Sequence, residues 1–243
     1  MAKIYVVGLG PGAYDDMTIR AVNALNACDT IVGYSVYVDL IKDHFTGKNY
    51  LTTSMKKEVD RCRLCFEEAE KGHTTAMICS GDAGVYGMAG LMYEIGEEHP
   101  DVELEIIPGV TAALSGGAVL GAPLGHDFAV ISLSDLLTAW ETIEARLKAA
   151  ADGDLCVAIY NPSSKKRHDY LQKACDILMT GKKPETICGL VRNIGREGEA
   201  FEVMTLGELR NTEVDMFTTV FVGNQATKVV RGHMVTPRGY RDV

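Results

Sequence analysis

Four side chains able to hold or move a proton stand at breaks in the chain pattern: Tyr34, Tyr37, Lys56 and His126. Tyr34 and Tyr37 follow a β-branched run, where a phenol can orient a ligand or pass a proton; otherwise they are amphipathic surface residues. Lys56 heads a basic cluster with Lys57, Arg61 and Arg63, and His126-Asp127 has the composition of a proton-transfer pair or of a turn cap. Asp82, inside Ser80-Gly81-Asp82-Ala83-Gly84, is a carboxylate with room for a ligand around it, or a helix N-cap. Other combinations carry less. Cys62-Arg63-Leu64-Cys65 has metal or redox spacing, but it lies in a helical pattern without a second pair or a thioredoxin context. Ser132, Ser134 and Asp135 lack the nucleophile-elbow pattern, which argues against hydrolase chemistry. No metal site is expected.

The stretch that positions this chemistry is Ile4-Tyr5-Val6-Val7-Gly8-Leu9-Gly10-Pro11-Gly12. It reads as a buried strand entering a loop that alternating glycines let bend tightly around a ligand. Gly8 to Ala13 formally fits the dinucleotide fingerprint G-x-G-x-x-G/A. Against that reading, the second strand ends in Gly33-Tyr34 instead of an acidic residue, and Asp15 and Asp16 are read as helix caps that place negative charge where a pyrophosphate needs a positive terminus. No Gly-Lys-Ser/Thr follows, so a P-loop is excluded. A purely structural glycine turn remains open.

Strands alternate with helices along the chain. A helix runs through Thr18, Val22, Leu25 and Cys28, a second strand covers 30–34, and a charged helix spans about Lys56 to Lys71. A third strand, 74–79, leads to a glycine break and a helix carrying Tyr86, Met88 and Leu91; a fourth, 104–107, leads through Pro108-Gly109 to a helix from Thr111. This βαβ spacing predicts a largely parallel sheet whose three glycine loops, Gly8 to Gly12, Gly81 to Gly87 and Pro108 to Ala112, share the ligand-binding edge. A Gly-, Ala- and Pro-rich stretch from Gly116 to Gly125 marks a junction between an N-terminal α/β domain, 1–120, and a C-terminal α/β domain, 121–243. In the second domain, strands are expected at 128–132, 155–160, 187–191, 201–204 and 217–222, the last two antiparallel, with a capping box at Thr138 to Glu141 opening a helix to about Ala151. There are no short repeats and no low-complexity segments.

The 243 residues carry a net charge of −9, which argues against a nucleic-acid binder, since phosphate contacts call for a basic face. No apolar run approaches the roughly 20 residues of a membrane span, and no basic and apolar leader precedes the first strand. The 7 cysteines, odd in number and irregularly spaced, point to reduced thiols and a cytoplasmic protein.

Gly-Pro-Gly near the N-terminus, Gly-Asp-x-x-x-Tyr-Gly at 81–87 and Pro-Gly-x-Thr-Ala at 108–112 together resemble the tetrapyrrole methylase family. The segments 32–37, 80–90, 131–137 and 236–240 look like its precorrin-3B or cobalt-precorrin-3 C(17)-methyltransferase branch, and the similarity runs from residue 4 to the C-terminus. Ala83 and Ala139 stand where proline is expected, the first at a position typical of this branch, the second at a helix start where proline is only favourable. The resemblance implies two α/β domains with a mostly parallel first sheet, a mixed second sheet and an active-site cleft between them, in a homodimer. It implies S-adenosylmethionine as methyl donor, methylation of carbon 17 of (cobalt-)precorrin-3 and ring contraction to (cobalt-)precorrin-4, in cobalamin biosynthesis. Carried over by motif position, the cofactor residues are Leu9, Gly10, Pro11, Gly81, Asp82, Val85, Tyr86, Thr111, Ala112 and Asn161, with Asn193 and Ile194. Tyr34, Tyr37, Lys56 and His126 are the catalytic candidates. The substrate's carboxylates would need local basic groups on an acidic protein: Lys56, Lys57, Arg61 and Arg63, then Lys165, Lys166 and Arg167, then Arg238 and Arg241. The motifs lie closest to the cobalt-early, oxygen-independent branch. Methylation at another ring position or of diphthine, or a non-catalytic sensor with the same cleft, stand as alternatives.

Overall fold

Ile4, Val6 and Val7 are sealed from solvent on strand β1 (Ala2–Gly8), as a strand covered on both faces requires. In the computed structural model, which describes residues 2–164 and 167–241, β1 lies inside the first of two compact units, Met1–Ala112 and Ala113–Val243. The first unit continues with α1 (Ile19–Ala27), β2 (Thr30–Tyr34), α2 (Ser35–Ile41), β3 (Asn49–Thr53), α3 (Glu58–Glu70), β4 (Thr75–Cys79), α4 (Ala89–Gly96) and β5 (Val102–Ile107). Its five strands run in the order β3-β2-β4-β1-β5, every pair parallel. Ala21, Leu25, Val38 and Ile41 of α1 and α2 pack on one face with Val7, Ile31 and Ile78, whereas Cys62, Phe66, Met92 and Ile95 of α3 and α4 pack on the other with Ile4, Val32 and Met77. Each fully buried Ile, Met or Phe contributes about 1.5–3 kcal/mol by leaving water. A doubly covered parallel sheet results, with all carboxyl ends on one edge.

Several local expectations are corrected. α2 and β3 were not foreseen, so the strands expected as third and fourth are β4 and β5. Asp15 and Asp16 cap no helix: they lie exposed in a single 3-10 turn, Tyr14–Asp16, and α1 is capped by Thr18, whose side chain accepts from the Ala21 amide at 3.0 Å. Tyr86 and Met88 precede their helix, because α4 begins only at Ala89.

In the second unit, α5 (Ala112–Leu120) leads into β6 (Gly121–Ala122), β7 (Phe128–Ser132), α6 (Trp140–Asp152), β8 (Cys156–Tyr160), α7 (Tyr170–Leu178), β9 (Ile187–Arg192), β10 (Ala200–Thr205), α8 (Leu206–Leu209), β11 (Thr218–Val222), β12 (Lys228–Val230) and β13 (His233–Val235). A five-stranded mixed sheet has the order β10-β9-β11-β8-β7, with β7 parallel to β8 and the other pairs antiparallel. β12, β13 and β6 form a separate three-stranded sheet. The capping box expected at Thr138 to Glu141 is absent; α6 starts from Ala139 with no side-chain cap. The box occurs instead at α8, where Thr205 and Glu208 exchange side-chain and backbone hydrogen bonds.

Candidate functional site

In the first unit, the three glycine loops close on one another where β4, β1 and β5 end. Gly10 and Gly81 form a backbone bridge, with the Gly81 amide donating to the Gly10 carbonyl at 2.7 Å and the Gly10 amide returning the bond at 3.0 Å. Gly8 and Gly109 approach so closely that a Cβ on Gly8 would stand 2.7 Å from both the Gly109 nitrogen and the Gly81 carbonyl oxygen. Only glycine lets these loops meet. The Thr18 hydroxyl, besides capping α1, donates to the Pro108 carbonyl at 3.2 Å and ties the first loop to the third.

Asp82 completes the assembly. Oδ1 accepts from the Gly84 amide at 2.8 Å and Oδ2 from the Gly109 amide at 3.0 Å, so one carboxylate shapes its own loop and fastens it to the loop after β5. The helix-cap reading does not hold, since α4 starts from Met88 without a side-chain cap. Around this centre Leu9, Gly10 and Pro11 are buried, Val85, Thr111 and Ala112 are half-buried, and Tyr86 is exposed with φ +53°. The edge is backbone and mostly small apolar side chains around one carboxylate, Asp82, whose negative charge suits a cationic sulfonium better than a multiply charged phosphate. These residues fit S-adenosylmethionine on that ground.

Tyr34 and Tyr37 lie at the carboxyl end of β2, on the same edge. Their rings meet edge to face at 5.3 Å, and the Arg61 guanidinium lies 5.9 Å from the centre of the Tyr34 ring. Lys56 is exposed at φ +66°, its amide donating to Glu58 at 3.2 Å. Of the basic cluster, Lys57 pairs with Asp60, Arg63 is exposed, and Arg61 is buried.

In the second unit, β7, β8 and β9 point the same way, because β8 and β9 each run antiparallel to β11. Ser132, Asn161 and Asn193 therefore follow strand ends on one edge. Asn161 (φ +52°) donates from Nδ2 to Ser132 Oγ at 2.9 Å, and Asn193 (φ +51°) donates from its amide to the Phe217 carbonyl at 3.1 Å. Asparagine tolerates this left-handed backbone better than most residues. Ile194 is buried against α5 near Gly116. His126 stands apart: it is exposed just before β7 begins, at the opposite end of that strand from Ser132, about 20 Å of extended chain away.

Two features had no signal in the sequence. The Tyr160 hydroxyl accepts from the Ala113 amide at 2.7 Å, in the first turn of α5. Asp135 accepts from the Tyr170 hydroxyl at 2.7 Å and from Arg167 at 3.2 Å; the tyrosine bond first, then the guanidinium, hold its carboxyl below the usual range. Arg167 is thereby occupied at home. Lys165 and Lys166 lie outside the described residues, whereas Arg238 and Arg241 are exposed near the end of the described chain.

The seven cysteines are all buried and unpaired, Cys62 and Cys65 among them in the core beside α3. Among the described residues no group of three or more His, Cys, Asp or Glu side chains is arranged to hold a metal ion, and no helix is long and apolar enough to cross a membrane.

Comparisons with known proteins identify the family of the chain. The family model for tetrapyrrole (corrin/porphyrin) methylases matches residues 3–210. A Salmonella typhimurium protein named "Probable cobalt-factor III C(17)-methyltransferase" is 45% identical over 236 residues, 97% of this chain and 98% of that one. A Sinorhizobium precorrin-3B C(17)-methyltransferase is 37% identical over 246 residues, 98% of this chain and 96% of that one. The crystal structure of the methyltransferase CobJ superposes with a TM-score of 0.90 at 38% identity, covering 98% of this chain and all 100% of the other. With a family model over most of its length and relatives this similar from end to end, the chain belongs to the tetrapyrrole (corrin/porphyrin) methylases.

Proposed function

We propose that this protein is an S-adenosylmethionine-dependent C-methyltransferase of cobalamin biosynthesis, which methylates carbon 17 of a cobalt-precorrin-3-type tetrapyrrole and couples this to ring contraction. The observation that carries the reading is the closure of three glycine loops through Gly10, Gly81 and the Asp82–Gly109 bond, in a chain of this family. The higher identity to the cobalt-factor III relative than to the precorrin-3B relative favours a substrate that already holds cobalt.

When bound, S-adenosylmethionine supplies an already activated methyl group, so neither a metal nor a protein nucleophile is needed for the transfer itself. The chain's task is alignment in a dry site. Leu9, Gly10, Pro11, Gly81, Val85, Tyr86, Thr111 and Ala112 hold the donor in this reading, and Asn161, Asn193 and Ile194 are carried with them by motif position. Asp82 spends two of about four acceptor positions on backbone amides, so a ligand hydroxyl can still be accepted. Tyr34 and Tyr37 orient the macrocycle or move a proton, with Lys56 in the segment after β3, the strand paired with β2. His126 receives no role. The reading includes a homodimer in the cytoplasm, where seven unpaired thiols would stay reduced.

Purified protein given cobalt-precorrin-3 with methyl-labelled S-adenosylmethionine should yield a labelled, ring-contracted product by mass spectrometry, with metal-free precorrin-3B a poorer substrate. Binding of S-adenosylhomocysteine without turnover of either tetrapyrrole would point to a sensor and overturn the enzymatic reading.

A further inference from the structure

Three charged side chains are buried among the described residues: Arg61 (5% exposed), Glu68 and Lys182. Two are neutralised where they stand. Glu68 meets Lys71 at 2.6 Å and His73 at 2.9 Å, and Lys182 meets Asp154 at 2.9 Å. Arg61 differs. Its Nε donates to Thr53 Oγ1 at 2.8 Å and its Nη2 to the Ser54 carbonyl at 3.1 Å, both neutral acceptors, and among the described residues no carboxylate pairs with it. The nearest acidic groups on its own helix are engaged elsewhere: Asp60 with Lys57, and Glu58 with the Lys56 amide.

A buried cation without a counter-charge is costly, and a fold that only needed to pin Ser54 could do so with an uncharged donor. Position explains the charge. Arg61 reaches from the first turn of α3 to the ends of β2 and β3, where Tyr34 and Thr53 are register partners. That is the carboxyl edge of the sheet, the edge of the glycine loops. No hydrogen bond is made by Nη1, and among the described residues no unpaired polar side-chain atom is fully sealed, so this end of the guanidinium fork keeps a little access to solvent. Tyr34 lies beside the guanidinium, with Tyr37 edge to face against it, and together the two rings offer an aromatic wall.

We propose that Arg61 receives a carboxylate of the tetrapyrrole, held in orientation by Thr53 and Ser54, and so fixes the register of the macrocycle on this edge. This rests on the proposed tetrapyrrole reading. A charge-assisted pair of this kind accounts for roughly 10- to 100-fold in affinity.

The test compares wild type with R61K and R61M, using cobalt-precorrin-3 and its carboxylate methyl esters, with S-adenosylhomocysteine affinity by calorimetry alongside. Expected is a rise of roughly 10- to 100-fold in KM for the tetrapyrrole in R61M, a smaller rise in R61K, an unchanged S-adenosylhomocysteine Kd, and a penalty for esterification that is large in wild type and small in R61M. The ester comparison on wild type needs no variant to fold: indifference of wild type to esterification would overturn the proposal. So would an unchanged KM in R61M, or an equal loss of tetrapyrrole and S-adenosylhomocysteine binding, which would make Arg61 a structural clamp. If wild type turns over no tetrapyrrole at all, the functional reading itself fails, and the two failures remain distinguishable.

Discussion

The Gly109 amide donates to Asp82 Oδ2 at 3.0 Å, and this bond fastens the loop after β4 to the loop after β5. With the other oxygen on the exposed Gly84 amide, one carboxylate satisfies two backbone donors, of which only that of Gly109 lies part-buried, beside a crowded glycine contact. Losing a charged acceptor from one partly buried donor costs about 1–3 kcal/mol. D82A should therefore lower the urea unfolding free energy by that amount and weaken S-adenosylhomocysteine binding. D82N, which keeps one acceptor and turns an amide toward the other N–H, should fall between. Wild-type stability in D82A would show that the loops are held by something else.

The glycine contact itself predicts a sharp contrast. At Gly109 a Cβ would collide with the Gly81 carbonyl oxygen and with the Gly8 backbone, none of which is a side chain that can swing away. G109A should be destabilised by several kcal/mol or fail to accumulate folded. Gly90, in the first turn of α4, has nothing within 4 Å of a built Cβ. There, alanine should stabilise by about 0.5–1 kcal/mol through the helix-propensity difference. Paired urea denaturation of the two variants checks both signs.

Much of this arrangement could be read before the structure, and what could not has a physical cause. β1, β4, β8 and β9 announce themselves because each is a buried run of β-branched and small apolar residues. β3, Asn-Tyr-Leu-Thr-Thr, is an edge strand, half-exposed along its length, and carries no such run. Caps were misplaced for a related reason: Asp15 and Asp16 have the right residue type, but the chain reaches α1 only after a 3-10 turn, which hands the role to Thr18. Asp82 stood out by its glycine neighbours, whereas its bond to Gly109, 27 residues away, is a tertiary fact. Arg61 was visible only as one member of a basic cluster; burial and the lack of a counter-charge separate it from Lys57 and Arg63.

Asp135 gives a pH-dependent prediction. Its carboxyl is depressed chiefly by the Tyr170 hydroxyl, with Arg167 adding to the effect. A group whose folded pKa lies below its unfolded value, about 3.9 for Asp, stabilises the fold above that unfolded value and loses this contribution as pH falls through the folded one. Y170F removes the leading cause. Its Asp135 should titrate at higher pH in a carboxylate NMR titration, and its stability should be lower than that of wild type above about pH 3.9, pH 7 included, with the difference fading as pH falls through the folded value. An Asp135 titration identical in Y170F and wild type would show that Arg167 alone sets the shift.

The buried thiols predict the opposite limb of the pH profile. Burial pushes Cys28 and Cys62 up to about 12 and Cys79 up to about 11, because a thiolate in these apolar surroundings would be desolvated. In the unfolded chain the same groups ionise near their ordinary value of about 8.5. Above that pH the unfolded state has given up protons that the folded state keeps, so stability falls as pH rises, by at most about 1.4 kcal/mol per pH unit for each thiol. The urea midpoint should thus decline between pH 8.5 and 10. At pH 8 a thiol reagent such as Ellman's should react with none of the 7 cysteines in the folded protein and with all of them in urea. Prompt labelling of the native protein, or a midpoint that climbs with pH, would mean that these thiols are not sealed from solvent.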